Sequence, residues 1–226
     1  MNQKEIIEKV EKEAKKYFEK ANGCHDWSHV ERVRKLALNI GKKEKANSFV
    51  LEVAALLHDI GRCEEMNKSR KNGGRVKFCH AEEGGKITRE VLREYALSDE
   101  DVENIVHCVE SHRCRNELIP ETIEAKVLFD ADKIDGLGAI GVGRIFLFAG
   151  SHGSRNLYTG NEKRLAKEGG DYSFTREDSA PLEYEIKLKY TIEKMITETG
   201  KEIARKRLDF MDSFFENFWK EIEGKR

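Results

Sequence analysis

Residues 49–60, FVLEVAALLHDI, constrain the fold more than any other stretch of the chain. A helix that is apolar on every side has no surface face, so it has to lie inside a larger assembly. Its last residues include His58 and Asp59, and ionisable side chains at the end of a buried helix are costly unless something offsets their desolvation. A divalent cation would offset it for both. Gly61 supplies a natural stop.

The rest of the chain supplies the cover. Only two prolines, Pro120 and Pro181, interrupt 226 residues, and the segments between turns repeat at helical period, so the expected fold class is all-α. Over 3–20, Ile6, Val10, Ala14 and Phe18 form a core-facing stripe. Ser28 and Glu31 make a capping box that predicts a helix beginning at His29, with Val33, Leu36, Ala37 and Ile40 on its apolar face and Arg32 one turn beyond His29. Residues 62–79 read as a polar loop. Helices are expected at about 80–96, at about 99–113 after a Ser98 cap, at about 121–135, at about 182–198 and from about 200 to the end. In the last, Leu208, Met211, Phe215, Phe218 and Ile222 form a stripe that packs on the chain's own core or serves a homodimer. The stretch 150–182, rich in glycine and charge, is expected to be irregular, a loop or lid insertion. One domain spanning 1–226 is the simplest organisation.

Lys and Arg number 41 against 42 Asp and Glu, so no global field recruits polymeric nucleic acid or a membrane surface. The amino terminus is a charged amphipathic helix and not an apolar leader, and no stretch is long enough to span a bilayer. The cytoplasm is the default compartment. Five cysteines, odd in number and without a Cys-x-x-Cys pair, suggest reduced thiols.

The chemistry concentrates in His29, the doublet His58-Asp59, and Asp132 within Asp130-Ala131-Asp132-Lys133. A single histidine in a core is more often a satisfied polar residue than a ligand. Two imidazoles and two carboxylates, each at a helix end or on a buried face, make a mixed nitrogen and oxygen set suited to Mn, Mg, Co, Ni, Fe or Zn. Such an ion can lower the pKa of a bound water and neutralise a phosphate oxygen. Asp130 and Asp135 compete with Asp132 for the last position. Asp132 shares the stripe of Leu128, whereas Asp130 is rotated about 200° away.

His80, His107 and His112 are secondary candidates, as substrate contacts in preference to ligands of a second metal. His112 continues the inward stripe of Val102, Ile105 and Val109, while His107 is turned aside by about 140°. Arg32, Lys133 and Arg144 are candidate phosphate cations, and Asp135 a further substrate contact. Glu64 or Glu65, soon after the doublet, could serve as general base. Gly136-Leu137-Gly138-Ala139-Ile140-Gly141 matches a dinucleotide-binding glycine pattern, but that pattern needs a preceding strand. Here a helical segment precedes it, so close packing or a helix break is the better reading.

These residues resemble the HD-domain superfamily of metal-dependent phosphohydrolases, whose pattern is His, His-Asp, Asp. HDWSHVERV (25–33), LLHDIGR (56–62), HAEEG (80–84), DADKIDGLGAIGVGR (130–144) and PLEYEIKLKYTIEKMITETGKEIARKR (181–207) resemble one bacterial and archaeal subgroup, so the likeness covers nearly the whole chain. It implies a compact helical bundle with the metal at its centre. It also implies His29, His58, Asp59 and Asp132 as ligands, and Asp26 as an acidic residue orienting the first histidine. The expected activity is hydrolysis of a phosphoester or phosphoanhydride in a small nucleotide, with a (deoxy)nucleoside triphosphate as the leading substrate. A phosphodiesterase of cyclic or linear dinucleotides, using two metals, is the alternative. A catalytically silent nucleotide-binding module is the third reading. Alarmone hydrolases carry acidic residues where this chain has Arg62-Cys63, which argues against that activity.

Overall fold

The computed structural model describes residues 1–19, 23–62, 79–114, 118–151, 156–173 and 175–225. Among them are ten α-helices, two short 3-10 helices and no strand. The all-helical expectation holds. The chain divides into two compact units, Met1–Asp132 and Lys133–Arg226.

The first unit is built around α3 (Ser48–Leu57), in which Phe49, Val50, Leu51, Val53, Ala54, Ala55, Leu56 and Leu57 are all buried. Asn47 starts it by accepting hydrogen bonds from the Phe49 and Val50 amides. The helix stops at Leu57, three residues short of the expected end. It packs against α1 (Gln3–Phe18), α2 (Trp27–Glu44) and α5 (Asp99–Ser111). The expected stripe on α1 is the buried one. On α2, a Cβ at Gly41 would lie 2.4 Å from Leu51 Cδ2, so glycine permits the close α2–α3 approach. α4 (His80–Leu92) packs on α5, and α6 (Ile123–Asp135) completes the unit as far as Asp132.

Buried Glu124 on α6 joins three elements. One oxygen accepts from the Asn47 amide at 2.6 Å and the other from Asn104 Nδ2 of α5 at 3.0 Å. Gly61 lacks the positive φ of a left-handed helix stop. Its role is contact: a Cβ there would lie 2.4 Å from the His80 carbonyl oxygen and 2.9 Å from the Gly84 amide nitrogen.

In the second unit, α10 (Glu198–Ile222) packs on α7 (Gly138–Ser151) and buries Ala204, Leu208, Met211 and Phe215. Phe214 and Phe218 meet Phe146 of α7, while Ile222, expected on the same stripe, is exposed. α7 starts at Gly138, whose φ of 74° favours glycine, so the glycine-rich run is a helix break, as read. The stretch expected to be irregular carries α8 (Glu162–Glu168). The helix expected over 182–198 is α9 (Ala180–Ile186) followed by the 3-10 turn Leu188–Lys194. No single described helix is long and apolar enough to cross a membrane.

Candidate metal centre

Four candidate donors converge in the first unit from three segments. The expected Ser28 cap is not the one formed. Asp26 caps α2, accepting from the Ser28 and His29 amides, and Ser28 Oγ turns its own hydrogen toward Asp26. A carboxylate can serve both amides and the hydroxyl together, which a serine cannot. The helix therefore begins at Trp27, with His29 in its first turn and 1% exposed.

His58 directly follows α3. Its Nδ1–H donates to the Ala55 carbonyl at 2.8 Å, which leaves the Nε2 lone pair facing inward, the tautomer a ligand needs. His58 Nε2 lies 3.3 Å from His29 Nε2, and His29 Nε2 lies 3.3 Å from Asp132 Oδ1. Asp59 Oδ2 stands 3.7 Å from His29 Nε2 and 3.9 Å from His58 Nε2. Ligands about 2.0–2.2 Å from a common ion sit at about these separations, so the donor set fits a divalent metal.

The second oxygen of Asp59 faces another pair. Asp59 Oδ1 lies 3.0 Å from His80 Nε2 and 3.5 Å from His112 Nε2, and all three residues are buried. His112, like His58, donates its Nδ1–H to a carbonyl, that of Val109. His80 differs. Its Nδ1 faces Arg113 Nη1 at 3.0 Å and Arg62 Nη1 at 2.9 Å, and a guanidinium can only donate. Arg62 Nη1 also lies 3.2 Å from His80 Nε2, so the same guanidinium faces both nitrogens of the ring. Sequence reasoning discounted a second metal because His80 lacks an adjoining carboxylate; Asp59 is that carboxylate in space, and Asp59, His80 and His112 form a second group of candidate donors.

Burial would raise the Asp59 carboxyl, but the Arg62 guanidinium and the imidazoles of His80, His58 and His112 outweigh it and hold Asp59 well below the usual carboxylate range. Burial pushes the His58 imidazole down to about 4 despite the pull of Asp59, and lowers His112 in the same way. Both are neutral near pH 7. An unfolded chain protonates these histidines near pH 6.5 while the folded one resists, so stability is full above pH 6.5 and falls as pH drops from 6.5 toward 4. His58 alone accounts for about 3 kcal/mol of that fall. Urea titrations of the metal-free protein at pH 7.5, 5.5 and 4.5 should show it, and a midpoint flat across that range would contradict it.

The remaining candidates separate clearly. His107, turned aside as expected, accepts from the Glu121 amide and is not brought to the cluster. Arg32 donates to Ser28 Oγ at 2.9 Å. In the second unit Arg144 pairs with buried Asp135; Lys133 follows Asp132 on α6 and is partly exposed. Asp130 is fully buried. Glu64 and Glu65 lie outside the described residues. Arg62 and Arg113 were missed, although each stands close in sequence to a histidine or aspartate of the cluster.

A helical unit that buries His29, His58 and Asp59 and brings Asp132 against them is the architecture of an HD domain. The chain belongs to that family: the HD-domain pattern matches residues 26–137. HD domains bind divalent metals. Bacillus subtilis YpgQ is 34% identical over 204 residues, covering 88% of this chain and 85% of the relative. The crystal structure of YpgQ in complex with ADP superposes with a TM-score of 0.70 at 28% identity, over 98% of this chain and 97% of that one. An HD-superfamily hydrolase from Bacillus thuringiensis matches at 0.72 and 29% identity, over 98% and 99%.

Proposed function

We propose that the chain is a divalent-metal phosphohydrolase acting on a phosphoester or phosphoanhydride of a small nucleotide, with a (deoxy)nucleoside triphosphate as the leading substrate. The observation that carries the reading is the grouping of His29, His58 and Asp132 as candidate donors, with Asp59 Oδ2 at 3.7 and 3.9 Å from the two histidines. The complex of YpgQ with ADP supports a nucleotide as the ligand class.

His29, His58, Asp59 and Asp132 would hold the ion, which supplies an activated water and draws charge from a phosphate oxygen. Asp26 anchors the His29 backbone. Ala55 fixes the His58 tautomer, and His80 holds Asp59 by its second oxygen. The test is turnover of a nucleotide panel with added Mn, Mg, Co or Ni, resolving phosphate from pyrophosphate release. Pyrophosphate from triphosphates is the expected product. No product from any nucleotide with metal bound would overturn the reading.

A second reading, a two-metal phosphodiesterase of dinucleotides, is favoured by the Asp59, His80 and His112 group. It requires two ions per chain. Metal analysis separates the two: one ion per chain is expected, and two would favour the dinucleotide reading. Metal-dependent ADP binding without product would instead indicate a silent nucleotide-binding module.

A further inference from the structure

The start of α6 is held to α5 by an imidazole. His107 Nε2 accepts from the Glu121 backbone amide at 2.9 Å. Thr122 caps α6 by accepting from the Ala125 amide at 3.1 Å, and its hydroxyl donates to Asn104 Oδ1 at 2.8 Å, about one turn before His107 on α5. A backbone N–H can only donate, so His107 Nε2 has to offer a lone pair, and the bond exists only while the ring is neutral. A protonated ring sets its own N–H against that of Glu121. His107 is partly exposed, so protons reach it from solvent. The ionisable groups around it are mostly acidic. On α5 Glu103 lies a turn before it and Glu110 a turn after, and the Glu110 carboxyl interacts with the His107 charge. Glu121 and buried Glu124 stand at the entry to α6, and α4 brings Glu82 and Arg89, the latter paired with Glu103. The neutral ring therefore takes the amide and the charged ring turns to a carboxylate, which gives one side chain two states. Asp132 lies on the same α6, nine residues after Ile123, so a shift of the first turn is carried to that metal donor.

We propose that His107 is a proton-sensitive positioning residue: its neutral ring holds the start of α6 and, through that helix, Asp132, while protonation releases the hold and loosens the metal centre in acid. The proposal rests on Asp132 serving as a ligand, as in the phosphohydrolase reading, and adds a pH response separate from protonation of the ligands themselves. The acceptor fixes the sign. The hold is present at the higher pH, where the ring is neutral, and is lost as pH falls. One such hydrogen bond changes an equilibrium about 2- to 10-fold.

The experiment compares the full-length wild type with His107→Gln, whose side-chain oxygen accepts a hydrogen bond at any pH, at about pH 8 and about pH 5.5, the range in which histidines change charge. In the metal-free wild type, nitrogen NMR should place the His107 proton on Nδ1 at the higher pH. Between the two pH values the protection of the Glu121 amide against hydrogen exchange should fall about 2- to 10-fold further in the wild type than in the glutamine variant. Calorimetric titration with manganese should give equal affinities at the higher pH. At the lower pH the variant should bind manganese about 2- to 10-fold more tightly, because ligand protonation weakens both proteins alike and only the wild type also loses the hold. His107→Phe, with no acceptor, should bind more weakly than the glutamine variant at both pH values. If either variant fails to fold, the wild-type NMR carries the test. A proton on His107 Nε2 at the higher pH overturns the proposal, as do manganese affinities that fall in parallel in the wild type and His107→Gln. The phosphohydrolase reading fails on a separate readout, the absence of product from the wild type.

Discussion

Asp59→Ala should abolish metal retention and turnover together. The carboxylate is 4% exposed and reaches four histidines: its Oδ2 faces His29 and His58, and its Oδ1 faces His80 and His112. Deleting it removes a donor from the ion and the counter-charge of Arg62 at the same time. An ion contributes several kcal/mol to such a transition state, so turnover should fall by about 10³-fold or more. Elemental analysis after dialysis should find little bound metal. Asp59→Asn, similar in shape but neutral, separates charge from packing and should also lose the ion. Wild-type turnover in the alanine variant would refute the site.

Gly61→Ala should damage stability and chemistry through the backbone. The added methyl would sit 2.4 Å from the His80 carbonyl oxygen and 2.9 Å from the Gly84 amide. Neither main-chain atom can swing away as a side chain can, so the segment after α3 and the start of α4 must part. The cost is about 3 kcal/mol, or a melting temperature lower by about 10 °C for a chain of this size. His80 carries both the obstructing carbonyl and the imidazole that holds Asp59. A displacement of about 1 Å there should also reduce turnover about 10²-fold. Thermal melts with wild-type values would show that the two segments are not bound to this approach.

Which parts of this were legible in the sequence depended on whether one face of an element was dry. On α1 and α5 the periodic stripes point inward: Ile6, Val10, Ala14 and Phe18 are buried, and His112 is separated from His107 as the helical angle requires. On α6 the same argument loses its footing. Ala125, Val127, Leu128, Phe129, Asp130 and Ala131 are all buried, and even Lys126 and Lys133 are only partly exposed, so the helix offers no fully wet face on which to place the rejected aspartate. Asp132 meets His29, yet Asp130 is the more buried of the two. Local hydrogen-bond choices were legible only in outline. Ser28 and Asp26 both have the chemistry of a cap, and the carboxylate takes the amides because its charge favours the helix N-terminus. The role of Gly61 depends on His80 and Gly84, about 20 residues away, and no local pattern records such an approach. The arginine pair depends on contacts spanning 18 and 33 residues.

Glu124 sits eight residues before Asp132 on the same helix, about 12 Å away along its axis. Because both of its oxygens are engaged, by the Asn47 amide and by Asn104, the helix is pegged against rolling and sliding at that end. A helix is stiff over such a distance, so it acts as a lever whose far end carries the carboxylate. Side-chain atoms lie about 5–6 Å from the axis, and a roll of about 10° therefore moves Asp132 by about 1 Å, enough to matter for positioning. The exactness of the centre is thus partly decided at a point that touches neither ion nor substrate.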